Sequence, residues 1–417
     1  MIKTKLTVIA IGIELKRSKH EGISQEDSMK ELAELANTAN LDVKEQFIQQ
    51  RQSPAQGTYI GKGKIQELKL YVKENDIKCV LTDDELTPAQ SKFLEKELNV
   101  KVMDRTGLIL EIFSMRAQTY EAQLQVELAQ LNYLRPRLTR LWTHLSRLGG
   151  GIGTKGPGET QLESDKRQLA RRVSLIKTKL KKIQADRHLR RKKRQEMPIL
   201  TGAIVGYTNA GKSTLLNRVT NSKVLAENKL FATLDPTSRQ CIISKINYIV
   251  FTDTVGFIQK LPTHLIKAFY STLEEVTQAD FILHVVDASH PNILEFIKTS
   301  QSIIKNLNAN NKPILYIFNK WDLVSKPNLL KKQLDEFRPN LFMSAKFSDL
   351  SEFEESILDL LAPLKKTLTY FIPYNRMDIV NLFHKYGDVN DIKYLDKIQI
   401  NVSINEAISD KIISQLY

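Results

Sequence analysis

The sequence has few of the residues that build covalent or metal cross-links. Its 417 residues include only two cysteines, Cys79 and Cys241, which are too few for a disulfide framework or a cysteine-rich zinc site. Both cysteines lie in apolar runs that predict buried strands. The low cysteine content excludes a small disulfide-rich scaffold and indicates a reducing compartment, so we expect a cytoplasmic protein.

Long apolar runs are also missing. No stretch approaches the roughly 18 apolar residues that span a bilayer, so we expect no transmembrane segment. Residues 6–13 form a short apolar run behind lysines, as at the start of a signal peptide, but no small-residue cleavage site follows. We expect this run to be a first buried strand.

The positive charge of the chain is concentrated in one segment. The net charge is +14 at pH 7. Residues 135–196 contain 19 Lys and Arg against 5 Asp and Glu, so this segment carries an excess equal to that of the whole chain. A concentrated excess of positive charge suggests a polyanion as the binding partner.

The first 105 residues alternate strand and helix signals and predict a small α/β domain with a mainly parallel sheet. Glycines at 57, 61 and 63 could form a second phosphate loop, but their spacing favours an ordinary turn. The predicted strands cover 6–13, 78–81 and 100–103, with a less certain strand near 47–48, and the predicted helices begin near Ser24, Lys64 and Thr87.

Apolar residues at steps of three and four then predict two long amphipathic helices that face one another. Pro136 should kink or break the first helix. Six of the 17 glycines lie at 149–158, and Thr160 begins the second helix with a capping pattern. We predict an antiparallel hairpin with a glycine-rich tip. The apolar positions are Leu124, Leu128, Leu131, Leu134, Leu138, Leu141, Leu145 and Leu148, followed by Leu162, Leu169, Val173, Ile176, Leu180 and Ile183.

Residues 206–213 fit the phosphate-binding pattern G-x-x-x-x-G-K-[ST]. A predicted strand at 199–205 leads into the pattern and a helix follows, so backbone N–H groups converge on the phosphates. We assign Lys212 to the β- and γ-phosphates as a catalytic residue, and the Ser213 hydroxyl to Mg²⁺. The predicted nucleotide-binding residues of this segment are Gly206, Tyr207, Thr208, Asn209, Ala210, Gly211, Lys212, Ser213 and Thr214.

Two further segments predict the γ-phosphate side of the same site. Asp253 ends an apolar strand and is expected to hold Mg²⁺ through water, while the N–H of Gly256 can approach the γ-phosphate during catalysis. Phe257 follows, where many related GTPases carry a water-orienting glutamine, so hydrolysis should be slow without a partner or another contact. Thr233 and Thr237 are alternative candidates for a second Mg²⁺ hydroxyl.

Two more segments predict a guanine-specific base site. Asn319 and Lys320 follow a predicted strand at 312–318, and the nearby Asp322 can accept hydrogen bonds from guanine N1–H and the 2-amino group. Adenine has a lone pair instead of N1–H, so the carboxylate should reject ATP. The remaining predicted base-site residues, one of which can offer a backbone N–H to guanine O6, are Ser344, Ala345 and Lys346.

Four nucleotide motifs in series therefore predict a GTP-binding switch of α/β fold. The predicted architecture is an N-terminal α/β domain, a long antiparallel helical hairpin, a P-loop G domain with a doubly wound sheet, and a small α+β C-terminal domain. Their predicted bounds are 1–105, 106–196, 197–365 and 366–417.

The motifs resemble those of the HflX type within the Obg–HflX superfamily of translational GTPases, over nearly the whole chain. The most specific parts are residues 149–160, 231–237 and 253–258, with a continuation at 271–275. A hydrophobic residue at 257 agrees with the family. The position of Thr233 in the family motif makes it the preferred Mg²⁺ ligand over Thr237.

The resemblance implies a Mg²⁺-dependent GTPase that cycles between GTP and GDP and binds the large ribosomal subunit and its rRNA. We expect a monomer. Some members split stalled or idle ribosomes, and the family hairpin is thought to reach toward the peptidyl transferase centre. The N-terminal domain of the family has been credited with ATP binding, but no residue here carries that role over. Residues 366–417 match the family least.

A second function remains open at the level of sequence. The hairpin could dock a protein partner as a coiled coil, with its basic charge merely solvated. The charge excess beside a glycine-rich tip favours RNA, because bare backbone can approach phosphate and ribose closely.

Overall fold

The computed structural model describes residues 5–16, 23–141, 157–195, 198–220, 230–243, 247–260 and 270–416. Most of the predicted glycine-rich tip, up to residue 156, lies outside these residues. The chain divides into two compact units. The first unit comprises residues 1–182, 228–234 and 258–270, and the second unit comprises residues 183–227, 235–257 and 271–417.

The first unit contains a four-stranded parallel sheet in the order β2-β1-β3-β4. The strands are β1 (Leu6–Leu15), β2 (Leu41–Arg51), β3 (Cys79–Thr82) and β4 (Lys101–Asp104). The helices between them are α1 (Gln25–Thr38), α2 (Lys62–Glu74) and α3 (Pro88–Leu98). Parallel pairing with intervening helices confirms the expected α/β architecture, although β2 is much longer than the weak signal near residue 47 suggested.

Local capping explains where these helices begin. Ser24 accepts a hydrogen bond from the Asp27 N–H at the start of α1. Thr87 and Gln90 form a reciprocal capping box at the start of α3, with Pro88 at the first position. Gly61 caps α2 without a side-chain hydrogen bond, which agrees with the interpretation of the glycine cluster as a turn before a helix. Side-chain capping of this kind typically stabilises a helix by about 1 kcal/mol.

Three helices, rather than the expected two, occupy the region from 105 to 195. The helix α4 (Arg105–Arg116) is short and largely buried, whereas α5 (Tyr120–Leu141) and α6 (Pro157–Gln195) are long. The expectation missed α4 because its buried residues lie on several sides, so it shows little amphipathic periodicity. The helix α5 is continuous through Pro136, so a break at this proline was wrong.

Contacts between α5 and α6 show the antiparallel arrangement of a hairpin. Arg172 makes two hydrogen bonds to the Glu127 carboxylate, at 2.6 and 2.7 Å. The Lys179 ammonium lies 5.7 Å from the centre of the Tyr120 ring. From Arg172 to Lys179 the chain advances seven residues along α6, while the partner on α5 moves back seven residues, from Glu127 to Tyr120. The two helices therefore run antiparallel. Of the predicted apolar seam, Leu124, Ile176 and Leu180 are buried, while Leu134 is exposed.

The second unit contains a six-stranded sheet in the order β10-β9-β8-β5-β7-β6. Only β6 runs antiparallel, to its neighbour β7. The strands are β5 (Leu200–Gly206), β6 (Thr237–Ile243), β7 (Asn247–Asp253), β8 (Phe281–Asp287), β9 (Ile314–Asn319) and β10 (Asn340–Phe342). The helices are α7 (Lys212–Thr220), α8 (Tyr270–Gln278), α9 (Ile293–Asn306), α10 (Pro327–Leu334) and α11 (Ser351–Leu361).

The C-terminal part of the second unit is an antiparallel sheet with two helices. Its strands are β11 (Lys365–Ile372), β12 (Asp388–Tyr394) and β13 (Ile398–Asn405), in the order β11-β13-β12. Its helices are α12 (Met377–Tyr386) and α13 (Glu406–Ile413). One continuous cluster of buried residues joins this sheet to the six-stranded sheet. The α+β signals at the end of the chain are confirmed.

Candidate nucleotide-binding site

The phosphate loop lies between β5 and α7, and two of its glycines are required by its geometry. Gly206 has φ +148°, and a Cβ atom added there would lie 2.0 Å from the Val285 carbonyl oxygen. Gly211 has φ +96°, and an added Cβ would lie 2.2 Å from Asn319 Nδ2. Both backbone conformations and both spaces admit only glycine. The motif therefore forms the strand–loop–helix structure that binds phosphate.

Lys212 is the buried cation of this loop. Its Nζ donates to the carbonyl oxygens of Gly206 at 3.2 Å and Tyr207 at 2.8 Å. Burial lowers the pKa of Lys212 to about 8, and the nearby Asp253 opposes this shift. Because phosphate oxygens stabilise the charged form, nucleotide binding should restore full protonation. The side chain is positioned for the predicted contact with the β- and γ-phosphates.

Ser213 and Asp253 are brought together although they lie 40 positions apart. The Ser213 hydroxyl donates to Asp253 Oδ2 at 2.6 Å, and Asp253 is fully buried at the end of β7. A hydroxyl and a carboxylate are hard oxygen ligands of the kind that Mg²⁺ takes together with substrate phosphates. The donor set therefore fits the predicted Mg²⁺ site, in which Ser213 would bind the ion and Asp253 would hold its water.

The segment after Asp253 lies directly on the phosphate loop. The Phe257 N–H donates to the Gly206 carbonyl at 3.0 Å, and the Thr208 N–H donates to the Phe257 carbonyl at 2.8 Å. A Cβ added to Gly256 would lie 2.8 Å from Thr208 Cα and 2.9 Å from Lys212 Nζ. The Phe257 side chain is buried, so this apolar ring does not face a reacting water.

The predicted base-binding residues are joined to the phosphate loop through Asn319. Its Nδ2 donates to the Ala210 carbonyl at 2.7 Å, and its Oδ1 accepts from the Ala345 N–H at 2.8 Å. Asn319 thus holds the two predicted nucleotide loops in register. The loop donor to guanine O6 stays a prediction, because the Ala345 N–H is engaged by Asn319 in this structure.

The carboxylate proposed to read guanine lies beside this junction. Asp322 is exposed within a short 3₁₀ helix, Trp321–Leu323, directly after β9. Lys320 has a left-handed backbone with φ 59° and forms an ion pair with Asp287 at 2.6 Å. An exposed carboxylate at the carboxyl end of a parallel strand is placed to meet a ligand. The role of Asp322 in reading guanine stays a prediction.

Thr233 belongs to the first unit, unlike Ser213 and Asp253. Its neighbours Leu230, Phe231 and Leu234 are buried, and the Phe231 ring packs edge-on against the Phe113 ring with centroids 4.7 Å apart. The assignment of Thr233 to Mg²⁺ stays a prediction.

We expect Thr233→Ala to lower GTP turnover strongly while leaving GDP affinity nearly unchanged. The reason is that its hydroxyl would meet Mg²⁺ only while a γ-phosphate orders the loop. Single-turnover hydrolysis and GDP titration measure the two effects. Thr237→Ala is the matched control, and the assignment is wrong if Thr237→Ala loses turnover while Thr233→Ala keeps it.

Sequence reasoning missed two contacts, one in each unit. Tyr207 lies in the phosphate loop, but its ring stacks on Phe296 of α9 with centroids 3.9 Å apart, so it contributes backbone rather than its ring to a nucleotide. Lys260 forms ion pairs with Asp83 and Asp84. No local sequence signal identifies either contact, because the partners are distant in the chain.

Comparison with known proteins identifies the family. Residues 26–114 match a model described as GTP-binding GTPase N-terminal, residues 116–194 match GTP-binding GTPase Middle Region, and residues 201–320 match 50S ribosome-binding GTPase. The GTPase HflX of Caldanaerobacter subterraneus subsp. tengcongensis is 41% identical over 428 residues, with 99% of each chain covered. The chain belongs to the HflX family of GTPases.

Other HflX relatives agree with this assignment. The GTPase HflX of Alkalihalophilus pseudofirmus is 48% identical over 76% of this chain and 74% of its own. That of Escherichia coli is 42% identical over 77% of this chain and 76% of its own. As an HflX-family member with a formed phosphate loop, the protein is a GTP-binding enzyme that hydrolyses GTP.

One solved structure is similar to this chain only at low overall similarity. The crystal structure of a GTP-binding protein from the hyperthermophilic archaeon Sulfolobus solfataricus, in complex with GDP, is 25% identical, with a TM-score of 0.45. The similarity covers 86% of this chain and 99% of the archaeal chain. The family assignment rests on the sequence relatives. Among the described residues, no helix has the length and apolar character needed to span a membrane.

Proposed function

We propose that this HflX-family GTPase binds the large ribosomal subunit through its basic hairpin, contacts rRNA there, and dissociates stalled or idle ribosomes. The protein binds GTP together with Mg²⁺ and hydrolyses it to GDP. It acts as a monomer in the cytoplasm. The observation that carries the proposal is the long, exposed, basic helix α6. The proposal is also supported by the match of residues 201–320 to the family model described as 50S ribosome-binding GTPase.

The length and charge of α6 support an RNA-facing arm. At about 1.5 Å per residue, its 39 residues extend roughly 58 Å. A helix of this length can reach well beyond a compact domain, and its exposed basic side chains can contact successive phosphates. The exposed basic residues are Lys166, Arg167, Arg171, Arg172, Lys177, Lys179, Lys181 and Lys182.

The contacts within the hairpin separate structural from RNA-facing residues. Arg172 is held by Glu127 in a two-point ion pair between the helices. Reversing its charge would disturb the hairpin itself, and so would not report RNA contact alone. Lys166, Arg171 and Lys177 are exposed and make a sharper test set.

Docking of a protein by a coiled-coil seam is the second candidate function. It is favoured by two exposed leucines on α6, Leu175 and Leu189, which are 58% and 63% exposed. Against it, Ile176 and Leu180 are buried, so part of the apolar seam is already covered within the protein. Binding to RNA explains the excess of positive charge in the hairpin, whereas docking of a protein through apolar side chains gives that charge no role.

We expect the changes Lys166→Glu, Arg171→Glu and Lys177→Glu to weaken binding to large subunits in proportion to their number, so that the triple variant binds more weakly than the single and double variants. Each phosphate contact should contribute about 0.7 to 0.9 to the slope of log affinity against log salt. Co-sedimentation with isolated subunits at several salt concentrations, with GTP analogue, GDP or no nucleotide, measures this.

The matched control reverses three exposed lysines that are not part of the hairpin, Lys305, Lys332 and Lys385. This control should leave the salt slope unchanged. Undiminished binding at high salt after the hairpin reversal would favour docking of a protein instead.

Replacement of the tip glycines at 149–158 by bulkier residues tests the second half of the proposal. We expect affinity to be largely kept and ribosome splitting to be lost, because the tip carries only Lys155 as charge and contributes shape. GTP binding should stay normal. Splitting that survives deletion of residues 149–158 would refute a role for the tip.

A further inference from the structure

One residue of the phosphate loop has a polar group that the fold leaves unused. Thr208 is buried, and its Oγ1 is shielded from solvent. Among the residues that the structure describes, no atom forms a hydrogen bond with this hydroxyl. A buried hydroxyl without a partner costs free energy, and native structures contain few of them. The hydroxyl is therefore a candidate for contact with the ligand of the loop.

The backbone N–H of Thr208 is already engaged, unlike its hydroxyl. This N–H donates to the Phe257 carbonyl at 2.8 Å, and the Phe257 N–H donates to the Gly206 carbonyl at 3.0 Å. Tyr207 and Phe257 also form an isolated parallel bridge. All four residues belong to the second unit. The hydroxyl is thus the donor that Thr208 has left for a ligand.

Thr208 lies beside the cation assigned to the β- and γ-phosphates. The Lys212 Nζ donates at 2.8 Å to the Tyr207 carbonyl, which belongs to the peptide bond that joins Tyr207 to Thr208. The position that a Cβ would take marks one side of Gly256, and Thr208 Cγ2 and Lys212 Nζ lie 2.8 and 2.9 Å from that position. The Thr208 side chain and the Lys212 ammonium therefore lie on the same side of Gly256.

GTP hydrolysis needs a polar group that holds the attacking water. The water oxygen must approach the γ-phosphorus in line with the bond that breaks. Residue 257, where many related GTPases carry a glutamine for this purpose, is a phenylalanine with a buried ring. Thr208 is hydrogen-bonded to the backbone of Phe257, so its hydroxyl belongs to the residue next to the one that cannot orient water.

We propose that Thr208 is a catalytic residue whose hydroxyl orients the attacking water against the γ-phosphate. Its oxygen accepts a hydrogen bond from the water, and its hydrogen is donated to a γ-phosphate oxygen. The water oxygen bonds to the γ-phosphorus, the bond from that phosphorus to the bridging oxygen breaks, and GDP leaves with the electron pair. The proton of the water ends on the phosphate product, so the hydroxyl is unchanged after each turnover.

The variant Thr208→Val tests this role, because it removes the hydroxyl and keeps the branched shape of the side chain. We expect single-turnover hydrolysis at saturating GTP and Mg²⁺ to slow by at least about tenfold, as for the loss of one hydrogen-bonding group at a reacting centre. GDP should bind as tightly as before, and the affinity for a non-hydrolysable GTP analogue should fall far less than the rate. Thr208→Ser keeps a hydroxyl and should retain most of the wild-type rate.

Thermal unfolding separates this role from a structural one. Because the hydroxyl has no partner in the described part of the chain, Thr208→Val should leave the melting temperature of the nucleotide-free protein unchanged or raise it. Thr106→Val is the matched control. The Thr106 Oγ1 is likewise buried and unpartnered among the described residues, but Thr106 lies in α4 of the first unit. Its substitution should leave the rate of hydrolysis unchanged.

Hydrolysis by Thr208→Val at the wild-type rate would overturn the proposal. An equal loss of rate in Thr208→Ser would do the same, and so would a loss of rate that is accompanied by a lower melting temperature and weaker GDP binding. The measurements use the full-length protein without ribosomes. Their outcome is therefore independent of the proposed binding to large ribosomal subunits.

Discussion

Asp322→Asn is expected to lower the affinity for GTP more than tenfold and to improve the binding of xanthosine triphosphate. The carboxylate accepts hydrogen bonds from guanine N1–H and the 2-amino group, whereas an asparagine amide offers a donor in place of one acceptor. Xanthine carries a carbonyl oxygen where guanine has its amino group, so the altered pattern suits it. Titration of both nucleotides against the wild-type and variant proteins measures the switch.

The exposed position of Asp322 makes this a clean experiment. Its side chain lies in the 3₁₀ helix after β9, and the substitution keeps its size, so the fold should be unaffected. Asp335→Asn, at an exposed carboxylate after α10, is the matched control and should leave both affinities unchanged. If the Asp322 variant binds GTP as tightly as the wild-type protein, Asp322 does not read the base.

The isolated protein is expected to hydrolyse GTP slowly, and large ribosomal subunits should raise its turnover by at least an order of magnitude. Phe257 stands where a glutamine would orient the attacking water, and its ring is buried. A partner that supplies or positions a missing contact typically accelerates GTPases of this kind by about 10³- to 10⁵-fold. Steady-state phosphate release with and without large subunits measures the stimulation.

Two controls connect the stimulation to binding. The triple reversal on α6 should lose the stimulation at moderate salt while its basal rate stays the same, because none of the three changed residues is among the predicted nucleotide-binding residues. Small ribosomal subunits should stimulate much less than large ones. Rapid turnover by the isolated protein, indifferent to subunits, would contradict the role assigned to Phe257.

Much of the nucleotide site could be predicted from the sequence because its parts are local. The glycine spacing of residues 206–213 fixes the loop geometry, and the alternation of apolar strands with helices fixes the parallel sheet that presents it. The strand ends at Asp253 and Asn319 agree with the predicted positions within a residue. Capping at Ser24 and Thr87 was equally predictable, since it depends on neighbours three residues apart.

The sequence was less informative for elements whose apolar residues do not follow the regular spacing of a helix or a strand. The helix α4 is buried on several sides, so it lacks the stripe of apolar residues that marks α5. Pro136 leaves α5 continuous near its described end, where the local penalty is outweighed by the surrounding helix. The strand β2 extends far beyond its apolar residues because its backbone pairs with β1 along its whole length.

The sequence alone determined that this chain binds guanine nucleotide and carries a basic hairpin, because phosphate loops and charge excess arise from residues close together in the chain. Only the tertiary structure showed that Gly256 and Phe257 close on the phosphate loop. It alone brought Lys260 to Asp83, which lies 177 positions away. Contacts between such distant residues depend on how the whole chain folds, and nothing in the spacing of either residue records its partner.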